Sequence, residues 1–386
     1  MSKFALASRA VALLVLGFAT SFTSQAQTLT TLHSFNGTDG AQPYAPLLQG
    51  SDGNLYGTTY NGGTASSGTV FKITTEGALT TLHNFNRALL QDGREPAGGL
   101  IQTSNGNLYG TTALGGLGRV GTIYVITPSG TFSVFQSFIY AQDGANVQSA
   151  LFRASNGNFY GTAAAGGGGA GTVFEATSFR QLTGIYDFGT QGSSPVGGVV
   201  QAGDGKLYGT TGTGGAQSCG TLFSITLQGQ FTSLMSLTGT DGCNPAATLL
   251  LGSDGALYGT TETGGAHNGF NAGVAFKYTV NGTLTVLHVF QISDGAFPSG
   301  ALIEGSDGNF YGTTQVGGAH GKGTIFKMTP SGTVTTLYSF CSQGGCSDGA
   351  MPIAGLIQAN DGKFYGTTSE GGISNNGTVF SFATAQ

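Results

Sequence analysis

Ser51-Asp52-Gly53-Asn54-Leu55-Tyr56-Gly57-Thr58-Thr59 is the stretch on which the fold turns. An Asp-Gly pair ahead of a short β-prone run reads as a hairpin turn feeding a strand. Its Tyr-Gly-Thr returns at Tyr109, Tyr160, Tyr208, Tyr258, Tyr311 and Tyr365, at spacings of 53, 51, 48, 50, 53 and 54 residues. Six residues after each Tyr stands a Gly-Gly pair, from Gly62-Gly63 through Gly371-Gly372. A Gly-Thr with an apolar–aromatic pair follows, as in Gly68-Thr69-Val70-Phe71 and Gly323-Thr324-Ile325-Phe326.

Working outward from that core, each unit reads as four strands. An apolar run (Pro46 to Gln49, or Gly99 to Gln102) precedes the Asp-Gly or Asn-Gly turn, and Asn54 to Thr59 forms the second strand. Thr69 to Ile73 is the third, and Leu79 to Phe85 the fourth. Helical periodicity of useful length is absent. Four-stranded units at this period are propeller blades. The chain opens on a lone fourth strand, Leu29 to Phe35, and ends on a third strand, Thr378 to Phe382, so the two fragments add up to one blade. An open solenoid would leave both edges bare. The sequence therefore predicts an all-β, seven-bladed β-propeller, a single domain over residues 27–386 closed by its N-terminal strand.

Residues 1–26 read as an export leader: Lys3 and Arg9, an apolar run from Ala10 to Ala19, and Ser24-Gln25-Ala26 as a small-x-small cleavage pattern. The apolar run is too short for a membrane span, no Cys follows it for lipid attachment, and Ser381 to Gln386 carries no hydrophobic tail or basic cluster. A secreted protein, periplasmic or extracellular, is expected. Four cysteines in such a chain suggest the disulfides Cys341–Cys346 and Cys219–Cys243, with free buried thiols as the competing reading. Charged residues make up 8% of the chain and the net charge is −5 with no Lys/Arg cluster, which argues against nucleic-acid partners.

These elements resemble the GloVer tandem-repeat family of exported bacterial proteins. The matching stretches are Ser51 to Thr59, Gly68 to Thr74 and Leu79-Thr80-Thr81-Leu82-His83, and they recur along the chain. The resemblance implies a repeat and an exported location, and it implies no activity, ligand or catalytic residue. Asn-Leu-Tyr after an Asp-Gly turn is also similar to NHL-type propeller repeats, a likeness of fold alone.

Residues common to all the repeats serve the blade, so a functional site must break the symmetry. The Tyr-Gly-Thr tyrosines are on that ground structural. So are the crossover acids Asp39, Asp92, Asp143, Asp241, Asp294 and Asp348, expected to bond their own backbone, with a calcium-binding carboxylate ring as the sharper alternative. His33, His83 and His288 share a position that elsewhere takes Gln136, Tyr186, Met235 or Tyr338, which makes it a packing position.

Strand order places the second-to-third loops and the crossovers on one face, over the central channel, where binding is expected. His267 and His320 follow Gly-Gly-Ala in adjacent blades, and Tyr60, Arg94, Glu95, Arg119, Glu262, Lys322 and Glu370 are the other asymmetric residues there. Two readings follow. One is a non-catalytic module, a monomer without cofactor or metal, binding polysaccharide or a cell-surface protein. The other is a polysaccharide lyase or glycoside hydrolase using His267, His320 and nearby acids or arginine. Convergence of His267, His320, Glu262 and Arg119 on one cleft would favour the enzyme.

Overall fold

The computed structural model describes residues 27–384 apart from Leu90 and residues 266–270; the leader assigned to residues 1–26 and the loop histidine His267 lie outside the described residues. The chain forms seven four-stranded antiparallel sheets arranged as the blades of a propeller. In blade 1 the strands are Leu48–Gln49, Leu55–Thr59, Thr69–Ile73 and Leu79–Asn84, in that order from the channel outward. The innermost strand is shorter than the sequence suggests, because only two residues of each inner run reach ladder geometry.

Repetition of Tyr-Gly-Thr and of the third-strand aromatic has one cause. Gly57 pairs with Phe71 across the second and third strands, and a Cβ on Gly57 would lie 2.5 Å from the Phe71 ring. Gly110 and Tyr124, Gly161 and Phe174, Gly209 and Phe223, Gly259 and Phe276, Gly312 and Phe326, and Gly366 and Phe380 stand the same way. The glycine is a seat for the aromatic ring, and the ring covers the backbone the glycine leaves bare. Tyr56 is fully buried on the neighbouring face, and its hydroxyl donates to Asp52 at 2.8 Å.

A bulge recurs between the third and fourth strands of every blade, at Val70/Phe71 in blade 1 and Thr31/His33 in blade 7. The unpaired residue is always large and apolar (Leu32, Leu82, Phe135, Ile185, Leu234, Leu287 or Leu337). An extra residue strengthens the local twist of the outer strand.

The core lies between blades. Phe35, Leu47, Leu55, Phe71, Tyr365 and Val379 pack as one cluster joining blade 7 to blade 1. Thr28–Ser34 pairs antiparallel with Thr378–Ala383, so strands from the two ends of the fold complete a single sheet. The predicted closure is thus the observed one, with bounds shifted by one residue.

Candidate functional site

The face over the channel is framed by a backbone device repeated in all the blades. In each crossover one residue pairs with the chain just past the second strand, as Ala41 does with Asn61 and Cys243 with Thr263. The next residue is left-handed: Gln42, Glu95, Asn146, Ser194, Asn244, Phe297 and Met351 have φ between 53° and 60°. Its amide reaches back to the preceding blade and its carbonyl forward to its own. Asn244 donates to the Cys219 carbonyl (3.0 Å) and accepts from the Glu262 amide (3.1 Å); Gln42 does the same with Asn376 (2.9 Å) and Tyr60 (3.0 Å). The first Gly of each Gly-Gly pair lies against this crossover: a Cβ on Gly62 would sit 2.5 Å from the Gly40 backbone.

Two residues beyond each clamp, Tyr44, Ala97, Gln148, Val196, Ala246, Ser299 and Ile353 line a central cavity of about 680 Å³. Its wall is mostly small and apolar, and its polarity is concentrated at a few side chains. Tyr44 and Tyr60 form an aromatic pair with ring centroids 5.0 Å apart. The Tyr60 hydroxyl donates to Glu95 at 2.8 Å, and burial together with that carboxylate pushes its pKa up to about 12. Burial, with the charge of Glu370, raises Tyr44 as well. Both hydroxyls are therefore protonated donors at physiological pH, and neither is a ready base. On another wall Glu262 accepts from the Asn244 side-chain amide, and burial raises its pKa above the ordinary carboxylate value.

The other residues singled out in the sequence do not join Tyr60 and Glu262. Arg94 and Arg119 line a second, smaller cavity at the rim of blade 2. His320 is exposed on the loop of blade 6. Lys322 stands 3.8 Å from Glu370, and both are well exposed. Glu262 and Glu370 are not equivalent: Glu262 directly follows its second strand, whereas Glu370 holds the bridge position opposite Ala350, filled in blade 5 by Thr263. His267 belongs to the residues not described, and the three placed members of the proposed catalytic group, Glu262, Arg119 and His320, do not share a cleft. Among the described residues no three His, Cys, Asp or Glu side chains are grouped to hold a metal ion.

Both disulfides are present. Cys219–Cys243 ties the loop of blade 4 to the next crossover, and Cys341–Cys346 closes a turn around Gly344–Cys346. The crossover acids bond their backbone as expected, Asp39 accepting from the Asn36 amide at 2.9 Å. They also take a partner that the sequence did not disclose: His33 meets Asp39 at 2.9 Å, His83 Asp92 at 3.3 Å, His288 Asp294 at 3.0 Å, and Tyr338 Asp348 at 2.7 Å. Tyr44 and Gln148 were missed although a signal existed. Comparing the residue two past the clamp in each repeat gives a Tyr and a Gln among small or aliphatic residues.

Fold and frame together define a repeat propeller in which symmetric scaffold and asymmetric mouth are separate. The chain belongs to the Gloeobacter/Verrucomicrobia repeat family, which matches residues 15–192 and 168–380. Similar solved structures include a putative 6-phosphogluconolactonase from Bacteroides fragilis, 19% identical, covering 82% of this chain and 88% of that one with a TM-score of 0.54. A putative 6-phosphogluconolactonase from Bacteroides uniformis is 13% identical, covering 83% and 96%, with a TM-score of 0.55. At these identities the likeness is one of fold. No curated protein matches the sequence.

Proposed function

We propose that the protein is an exported propeller that binds polysaccharide at the channel mouth without transforming it. The observation that carries this reading is the Tyr44–Tyr60 pair at the mouth of an otherwise plain cavity. Aromatic faces offer the C–H faces of a sugar a large contact at small entropic cost. A few fixed polar groups, here Gln148, Asn244 and Glu262, then orient its hydroxyls. Against catalysis stands the count of acids. Glycoside hydrolysis takes two carboxylates across one bond, and Glu262 is the one carboxylate lining this cavity among the described residues. Two disulfides support export, as does the leader read in residues 1–26. Among the described residues no helix is long and apolar enough to cross a membrane.

The test is retention of the purified protein on a panel of soluble polysaccharides, with release of reducing or unsaturated ends recorded alongside. Retention by one polymer, weakened about tenfold by Tyr60→Ala and untouched by His320→Ala, is expected. Product that disappears in Glu262→Gln would overturn the reading in favour of an enzyme. Retention by no polymer would sink it and leave a protein partner.

A further inference from the structure

Three of the chain's six arginines, Arg87, Arg94 and Arg119, line one cavity of about 300 Å³ at the rim of blade 2. In a protein of net charge −5 with so few cations, this is a marked concentration. Asp92, also in that lining, is already committed. Its Oδ1 faces His83 Nε2 (3.3 Å) and accepts the Gly93 amide (2.9 Å), and its Oδ2 accepts the Asn86 amide (2.9 Å). Among the described residues none of the three arginines has a carboxylate within ion-pair distance, and the ion pairs that do form are made by Lys or His. Three guanidinium groups around a hollow whose lining, among the described residues, holds the single carboxylate of Asp92 leave an excess of positive charge, which a bound anion offsets.

The backbone holds the cluster in place. Blade 2 is where the crossover pairs with the second-strand extension over two residues, Gly93–Arg94 with Leu114–Gly115, in place of the single bridge at Ala41 or Ala145. Arg119 is left-handed (φ 61°), on a turn closed by its amide to the Gly116 carbonyl at 3.0 Å. The cavity also adjoins the channel mouth. Glu95, next to Arg94 in the chain, accepts from Tyr60, and the charge of Arg94 acts on that tyrosine's hydroxyl.

From this juxtaposition we infer that the Arg87–Arg94–Arg119 cavity is an anion subsite, and that the glycan bound at the tyrosine pair is an acidic one. The guanidinium fork matches the paired oxygens of a carboxylate or a sulfate ester. The acidic-glycan half of the inference rests on the polysaccharide reading above, whereas the subsite itself does not.

Binding of polygalacturonate, of its methyl-esterified form and of dextran and dextran sulfate is compared by calorimetry for the wild type, Arg87→Ala/Arg119→Ala and Tyr60→Ala. Arg87 and Arg119 are exposed, so the double variant should melt like the wild type. A preference of about tenfold or more for a charged polymer over its uncharged counterpart is expected, lost in the double variant, while Tyr60→Ala weakens charged and uncharged forms alike. Polygalacturonate favoured over dextran sulfate identifies the carboxylate, and the reverse identifies the sulfate ester. Equal binding of charged and uncharged polymers, or a preference that survives the double substitution, overturns the inference. If no polymer binds, the glycan reading has failed, and the subsite is judged by melting in millimolar sodium sulfate or galacturonate. A rise in Tm confined to proteins that keep the arginines supports it, and an equal response in the double variant rejects it.

Discussion

The side chain of Gln49 in blade 1 accepts the backbone amide of Asn360 in blade 7 at 2.9 Å, across 311 residues of sequence. Gln102 takes Ser51, Gln201 takes Ser155 and Gln358 takes Ser306 in the same way, each at 2.8 Å, between blades that are consecutive in the chain. The joint that closes the ring is therefore built like the joints inside it. Thr367 adds a second tie there, donating to the Pro43 carbonyl, two residues before the counterpart of Ala354, whose carbonyl Thr313 reaches between blades 6 and 7.

If closure is this regular, loss of the closing strand should cost far more than one surface segment. Deleting residues 28–35 uncovers the edge of Thr378–Ala383 and removes Phe35, which is fully buried. Phe35→Ala alone should cost about 3–5 kcal/mol. A melting curve that is unchanged by the deletion would contradict a closed ring.

Tyr124 offers a test in the stabilising direction. It fills the third-strand seat that is Phe in the other blades, its side chain is fully buried, and among the described residues its hydroxyl has no hydrogen-bond partner. Burial raises its pKa far above the usual phenol value. Tyr124→Phe should stabilise the protein by about 1–2 kcal/mol, read as a higher denaturant midpoint with unchanged slope.

Glu262 and Asp307 should give opposite pH signatures. The folded pKa of Glu262 is raised by burial, so its contribution is full below the unfolded carboxylate value of 4.5 and lost as pH climbs through the folded value. Glu262→Gln should therefore match the wild type in acid and melt higher at neutral pH. For Asp307 burial raises the pKa, but hydrogen bonds from Lys327, Asn309 and Tyr311 outweigh it and hold the pKa far below 3.8. Its contribution is present above 3.8 and lost as pH falls through the folded value, so Asp307→Asn should lose its disadvantage only in strong acid. Melting temperatures of both variants across pH check the two signs.

Cys219–Cys243 closes a loop of 24 residues and ties two segments that the Asn244 clamp also joins. Replacing both cysteines with Ser should cost about 3 kcal/mol by the loop-closure relation. Thermal melts with and without reductant check it: the wild type should respond to reductant more than the double variant, in which Cys341–Cys346 alone remains.

The blade order, the closure and both disulfide pairings were legible because repetition multiplies a weak local signal. One Asp-Gly turn is a suggestion, whereas the same turn ahead of each Tyr-Gly-Thr constrains the whole chain. Contacts between non-equivalent positions had no such support. His33 with Asp39 depends on the bulge at Leu32, and Arg87 belongs to a crossover whose length differs from its counterparts. Glu262 and Glu370 looked alike in sequence, yet one residue of register puts them in different strand positions, because side chains alternate along a strand.

The left-handed clamp of the crossovers has a wider consequence. Its bonds are made by main-chain atoms, and the side chains at the seven positions are Gln, Glu, Asn, Ser, Asn, Phe and Met. None of these is β-branched, the class for which positive φ is hardest to adopt. Apart from that restriction, replacing the side chain leaves the clamp's main-chain bonds in place. Specificity at the rim of this molecule can be rewritten one socket at a time while the architecture beneath it stays as it is.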